Sequence, residues 1–349
     1  MVSKFPRSSV RSLSAAVAAA ALSLAAVFVE TPYADQVVSI ATAPNQDFGV
    51  PDDMLGPPVG LGNSDGSVDV YSIGTGGEVV LFLDTPATNG AGTDIIVYEN
   101  PFLTNLTGWD AYIELAAVAV STNGVDWANF PNDFDGPVGP YLQGSIQLGA
   151  DSTWFDGFAG VMPFAANPPT VNPLDVVAGG GDAFDLSDLI DDPTVINGDV
   201  DLDFIQYVKL TDMLAGIDTD TKGQPVWDCG FPSFSCADID SVCAVNNTLN
   251  LSPSRPVVEF DLDDATGLLT LVISDFNGLF QVKHDLAASL NGITVPFGSL
   301  LQFFIITQID SETVTLLTGP VPLNLPRTLL KVSANDGTGL VGGDAVFLP

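Results

Sequence analysis

Three sets of carboxylates in this chain are spaced so that they could do chemistry. Asp218-Thr-Asp-Thr-Lys-Gly223 opens like a calcium loop, with Asp218 and Asp220 ahead of a glycine. Hard cations want carboxylate and carbonyl oxygens gathered by a turn. A full EF-hand also needs a bidentate Glu at its twelfth position, and that position here is Cys229, so Asp228 would have to close a looser site. The alternative is a solvated turn. Asp238 and Asp240 flank Ile239, and the period of a strand turns both to one face. Facing inward they need a cation or donors from a loop; facing outward they discourage edge pairing. Glu99 and Glu114 are the acids set deepest in apolar surroundings. Two carboxyls with separated pKa values are what glycoside hydrolysis needs, which makes this pair the catalytic candidate of a carbohydrate-active hydrolase. Acids at strand ends also bind backbone N–H groups or a metal.

Other motifs carry less. Gly62-Asn-Ser-Asp-Gly66 spells the Gly-x-Ser-x-Gly of hydrolases, but a Pro/Gly loop precedes it and no helix follows. His284 is the single histidine and lies far along the chain, so no Ser-His triad is expected. Aromatic rings stack on sugars, and Trp109 and Trp154, in polar loops, are the candidates for a glycan site. Trp127, closing a strand, is expected to plug the core.

The elements that must position these residues read as strands. Glu78–Asp84, Thr93–Asn100 and Ala111–Ser121 are short runs rich in Val, Ile, Tyr and Phe, bounded by turn residues. Val68–Ile73, Tyr141–Leu148, Leu202–Leu210 and Ala237–Val245 extend the set, and Ala183–Ile190 has the spacing of a short helix. Strands without intervening helices argue for an antiparallel sandwich. After a Pro/Ser linker at 251–256 the pattern restarts, as a smaller all-β module of immunoglobulin-like size over 257–349.

The formal charge is −34, with 43 acids against 9 bases. Such a surface repels nucleic acid and anionic lipid and attracts divalent cations. Lys4, Arg7 and Arg11 precede an apolar Ala/Leu/Val run, so residues 1–34 are expected to be a signal peptide cleaved after Pro32-Tyr-Ala34. An uncleaved anchor is the alternative; no later stretch is apolar enough to span a bilayer. The compartment is then secreted or cell-surface. In that setting one disulfide is expected among three cysteines, with Cys229–Cys236 as the guess and Cys243 buried in a strand.

Several phrases taken in order resemble a family of uncharacterised secreted or cell-surface bacterial proteins. They are Leu55-Gly-Pro-Pro58, Gly74-Thr-Gly-Gly-Glu-Val-Val-Leu81, Asp94-Ile-Ile-Val-Tyr-Glu-Asn100, Glu114 through Trp127, Phe155-Asp-Gly-Phe-Ala-Gly160, Gly180-Gly-Asp-Ala-Phe-Asp-Leu186, Tyr207-Val-Lys-Leu-Thr-Asp212 and Ala237-Asp-Ile-Asp-Ser-Val242. The resemblance implies a jelly-roll, galactose-binding-like fold over residues 35–250 and carries no catalytic residues with it. Phe260 through Leu271 is similar to the opening of immunoglobulin-like repeats of bacterial surface proteins. The expectation is an exported, non-enzymatic binding or adhesion protein, calcium-stabilised and meeting glycans or matrix components. A hydrolase and a structural envelope protein are the alternatives.

Overall fold

The structure is a computed structural model. It describes residues 31–46, 48–104, 110–138, 149–229 and 236–249, together with the strands of the C-terminal part. The strands of the larger part are β1 (Gln36–Ala41), β2 (Tyr71–Ser72), β3 (Glu78–Ala87), β4 (Ile95–Glu99), β5 (Phe102–Leu103), β6 (Asp110–Tyr112), β7 (Ala116–Ser121), β8 (Ala128–Asn129), β9 (Asp133–Phe134), β10 (Ala150–Asp151), β11 (Phe155–Asp156), β12 (Asp182–Phe184), β13 (Ile205–Asp212) and β14 (Asp238–Ala244). The fold is all-β and antiparallel, as the strand pattern predicts.

Two sheets face each other. One has the order β1-β3-β13-β7-β8 and the other β12-β4-β14-β2. Alternation fills the space between them: Val79, Leu81 and Leu83 of β3 and Val208 and Leu210 of β13 meet Ile95 and Val97 of β4 and Ile239 and Val242 of β14. The far face of the second sheet is not bare. Ile96, Tyr98 and Cys243 pack under Phe164, Ala166 and Val176 of the long segment that follows β11. This is why β4 reads apolar on both faces and is buried along its whole length.

Several boundaries differ from the sequence pattern. Ala183–Ile190 is a strand end followed by a single 3-10 turn at Leu186–Leu189, because Asp185 caps the Ser187 N–H and stops the strand. Strand β1 is an addition to the expected strands; it pairs with β3 across a bulge between Val37 and Ser39. Tyr141–Leu148 lies outside the described residues.

Pro32 to Ala34, assigned from sequence to the leader, belong to the folded unit. The Ala34 N–H donates to the Val242 carbonyl at 2.9 Å, the Ala34 carbonyl accepts from Gly56 at 2.9 Å, and Pro32 accepts from Ala244 at 2.6 Å. The Ala34 side chain sits fully buried in the core between the sheets. Cutting after Ala34 would strip those bonds from β14.

The C-terminal part adds β15 (Val257–Asp263), β16 (Leu268–Ser274), β17 (Asp285–Leu290), β18 (Ile293–Val295), β19 (Phe304–Ile309), β20 (Thr313–Thr318), β21 (Thr328–Asn335) and β22 (Val341–Leu348). They form two further sheets, β15-β16-β20-β19 and β18-β17-β21-β22. The linker at 251–256 lies outside the described residues, but the two parts form one compact unit from Thr31 to Pro349. Their join is apolar where Leu329 and Ala345 pack into the cluster of Ile113, Val161 and Met162, and elsewhere polar and buried. Lys331 of β21, only 3% exposed, donates from Nζ to the Gly181 carbonyl at 2.6 Å. It faces Asp182, whose charge opposes the drop in its pKa that burial causes, to about 8. Ser333 donates to Asp175 Oδ1 at 2.7 Å, and the Thr93 N–H to the Gly343 carbonyl at 3.2 Å.

Two outcomes follow. A chain beginning at Asp35 should be less stable than one beginning at Thr31 by about 2 kcal/mol, since it loses several backbone hydrogen bonds; equal urea midpoints would contradict this. Lys331→Met keeps the stem but strands the Gly181 carbonyl and the Asp182 charge, and should cost about 3 kcal/mol in urea unfolding.

Candidate functional site

Interior carboxylates hold this sandwich's loops. Asp94 accepts from the Gly90 N–H, the Asn246 amide and the Leu186 N–H at 2.8, 2.7 and 2.8 Å. Asp182 accepts from three successive N–H groups, Gly160, Val161 and Met162, at 2.8, 3.1 and 3.0 Å. Asp212 joins the Gly76 N–H at 2.7 Å to the Ala237 N–H at 2.9 Å. Each donor lies in a glycine-rich turn or at a strand start, where the backbone has no ladder partner and needs an acceptor. Burial raises these acids all the same: Asp94 to about 8, Asp182 to about 7 and Asp212 to about 7.

At one end of the two sheets Asp182 and Asp212 act on the pair singled out from sequence, while Asp94 lies at the other end of β4. Glu99 ends β4 and is 1% exposed. Its Oε1 accepts from the Asp238 N–H at 2.9 Å, and its Oε2 has no hydrogen-bond partner. Gly160 lies over it with φ +92; a Cβ there would stand 3.3 Å from Glu99 Oε2 and 2.0 Å from the Glu114 carbonyl oxygen. Glu114 is half-buried, and the Tyr112 hydroxyl approaches its Oε1 at 3.5 Å. Glu99 is pushed well above the usual carboxylate range, by burial first and then by the Glu114 charge. Glu114 is pushed up by burial and by the charges of Asp238, Asp228 and Asp212. So the structure does bring Glu99 and Glu114 together, with Asp238 beside them.

The other predicted residues go elsewhere. Asp218 Oδ2 accepts from the Leu214 N–H at 2.8 Å. Asp220 is spent on Lys222, Gln224 and Phe134 N–H groups at 2.9, 2.8 and 3.2 Å. The 218–223 turn is therefore a self-capped turn. Asp228 is buried behind Leu115, 3.5 Å from its N–H. Asp238 and Asp240 do not share partners as simple alternation predicts. The register of β14 on β4 slips between Ile239 and Ser241, which makes Asp240 the extra residue of a bulge. Asp240 instead takes the Ser67 hydroxyl at 2.6 Å and the Val59 N–H at 3.1 Å, and burial raises it to about 7. Among the described residues no set of three or more Asp, Glu, Cys or His side chains is gathered to hold a metal.

The expected Cys229–Cys236 disulfide is not formed: all three cysteines are free and buried. Cys229 Sγ donates to the Ala111 carbonyl at 3.3 Å and Cys236 Sγ to Asn45 at 3.7 Å, so each thiol is turned to a different carbonyl. Trp154 is half-buried against the second apolar cluster, with Phe134 and Phe155, and Trp109 lies outside the described residues. Trp127 does not plug the core. It sits half-exposed with Lys209 Nζ 4.6 Å over its ring. Lys209, Tyr207 and Phe82 share the outer face of the five-stranded sheet, and the Phe82 and Tyr207 rings meet edge-on at 5.2 Å. The signal for this row was present in the strand alternation of 78–84 and 205–212.

The chain matches no protein-family profile, no curated protein and no solved structure.

The pH dependence has a definite sign. Asp94 and Asp344 (about 8) and Asp212 and Asp240 (about 7) are all raised by burial above their unfolded value near 3.8. The folded state therefore binds more protons than the unfolded one, and its stability is greatest below about pH 4 as far as these groups go. In chelator the urea midpoint should fall as pH rises from about 4 to about 8 and then level off. A midpoint that climbs over that interval would contradict the assignment.

Proposed function

We propose that this chain is an exported, non-enzymatic binding module of the cell surface or extracellular space, steadied by divalent cations and contacting glycans. The observation that carries the reading is a division of labour between two surfaces. Interior acids are engaged in holding loops, while the outer sheet face presents Phe82, Tyr207 and Trp127, each part-exposed, beside Lys209 and the exposed Asn129. Rings of that exposure offer a sugar its C–H contacts, and the flanking amide and hydroxyl groups offer hydrogen bonds.

The cation part has its own support. Burial first, and with it the charge of neighbouring acids, raises Glu99, Glu114, Asp94, Asp212 and Asp240. A bound cation relieves such repulsion directly. The jelly-roll-like and immunoglobulin-like subtypes of the two parts, and the surface-protein family the phrases resemble, fit the same reading.

The hydrolase reading has less behind it. A glycosidase needs one carboxyl protonated and one ionised, both in reach of the sugar. Glu99 and Glu114 are both pushed upward, and Glu99 is 1% exposed.

A glycan array probed with the exported chain, with and without calcium, tests the reading. Binding is expected that weakens by about tenfold in Trp127→Ala or Tyr207→Ala, the loss of one stacked ring. Absence of binding to any glycan, or binding indifferent to both variants, would remove the glycan part.

A further inference from the structure

We infer that Glu99 and Glu114 form a seat for one hard divalent cation of the calcium class at the end of the two sheets, with Asp238 beside it. This rests on the cation-steadied reading above and moves the cation from the 218–228 turn to the inside of the sandwich.

The argument starts from an atom. Glu99 Oε2 is buried without a hydrogen-bond partner, while Oε1 of the same carboxyl is held by the Asp238 N–H at 2.9 Å. A buried carboxylate oxygen left bare is expensive, and the sites that keep one are those where something absent from the bare chain completes it. The charges that act on Glu99 are Glu114, Asp238 and Asp182, and those on Glu114 are Asp238, Asp228 and Asp212. Every one is acidic. What is missing among these neighbours is positive charge.

The surroundings fit an oxygen-loving ion. Gly160 packs against the Glu114 carbonyl oxygen, which a Cβ would meet at 2.0 Å, with Glu99 Oε2 3.3 Å from the same point. The missing side chain is what lets a main-chain oxygen and a carboxylate oxygen come near one another there. The cysteines near this end, Cys229 and Cys236, turn their thiols to the Ala111 and Asn45 carbonyls, which leaves oxygen donors only. Oxygen-only ligation favours calcium or magnesium over softer metals. With two side-chain carboxylates the site falls below the three-residue sets that are absent among the described residues. Calcium accepts carbonyl and water oxygens for the remainder. The six-residue turn at 218–223, by contrast, has its carboxylates occupied by its own backbone.

The test uses the full exported chain at neutral pH, with calcium or chelator, and terbium as an optical stand-in. Tyr112 lies 3.5 Å from Glu114 Oε1, so terbium in the seat is excited through that ring and calcium quenches the signal by displacement. Wild type is compared with Glu99→Gln, Glu114→Gln and, as the loop control, Asp218→Asn. Glu99→Gln keeps shape and removes a carboxyl whose ionisation burial disfavours, so in chelator it should melt no lower than wild type. Its calcium-induced rise in Tm and its terbium signal should both weaken by about tenfold or more, the loss of one charged ligand. Asp218→Asn should keep both. If Glu99→Gln and Glu114→Gln respond to calcium as wild type does while Asp218→Asn does not, the seat is overturned and the cation-steadied reading stands. If wild type itself ignores calcium, gaining stability only on acidification, the pair holds a proton, and both the seat and the cation part of the functional reading fall.

Discussion

Carboxylates buried in a chain of net charge −34 are the constraint on which the rest of this structure depends. A sandwich needs its loops tied down, and their N–H groups have no ladder partners. Here the ties are aspartates reaching in from strands. Asp212, at the end of β13, links the turn at Gly76 to the start of β14. Asp182, at the start of β12, gathers Gly160 to Met162 beneath it. Each bond to an ionised acceptor contributes more than a neutral one, but each also keeps a charge out of water. The consequence is an interior that favours protons or cations, and Glu99 with its bare oxygen is where that demand is least met.

The join between the two parts obeys the same rule with the opposite sign. Lys331 is the one buried lysine among the described residues, and it is placed against Asp182 and the Gly181 carbonyl. Asp182 thus serves both the loop of its own sandwich and the neighbouring sheet. A residue doing both jobs couples the larger part's loop to the smaller part's docking, so the two need not behave as independent beads on a Pro/Ser linker.

Much of the framework is legible in the chain itself. Period-two apolar runs place β3, β4, β7, β13 and β14 within a few residues, because one buried face suffices to impose alternation. The pairing of Glu99 with Glu114 is foreshadowed only as two acids in apolar company; their approach depends on the end of β4 meeting the segment before β7. What alternation cannot carry is a slip in register. The bulge at Asp240 sends that carboxyl to Ser67 and Val59 while Asp238 stays beside Glu99. Self-capping also hides from a spacing rule: Asp218 and Asp220 look like ligands and are turn residues whose acceptors are used locally. Ala34 falls within the expected leader, yet its pairing with Val242 is a tertiary fact. Strand β1, Gln-Val-Val-Ser-Ile-Ala, carries an apolar signal that its nearness to the expected leader obscures.

The most direct measurement is a carbon-detected NMR titration of the side-chain carboxyls in chelator. Interior acids that favour protons predict a Glu99 carboxyl, identified by its loss in Glu99→Gln, that titrates well above the ordinary glutamate range. A Glu99 signal that titrates at the ordinary value of a solvated glutamate would contradict the account.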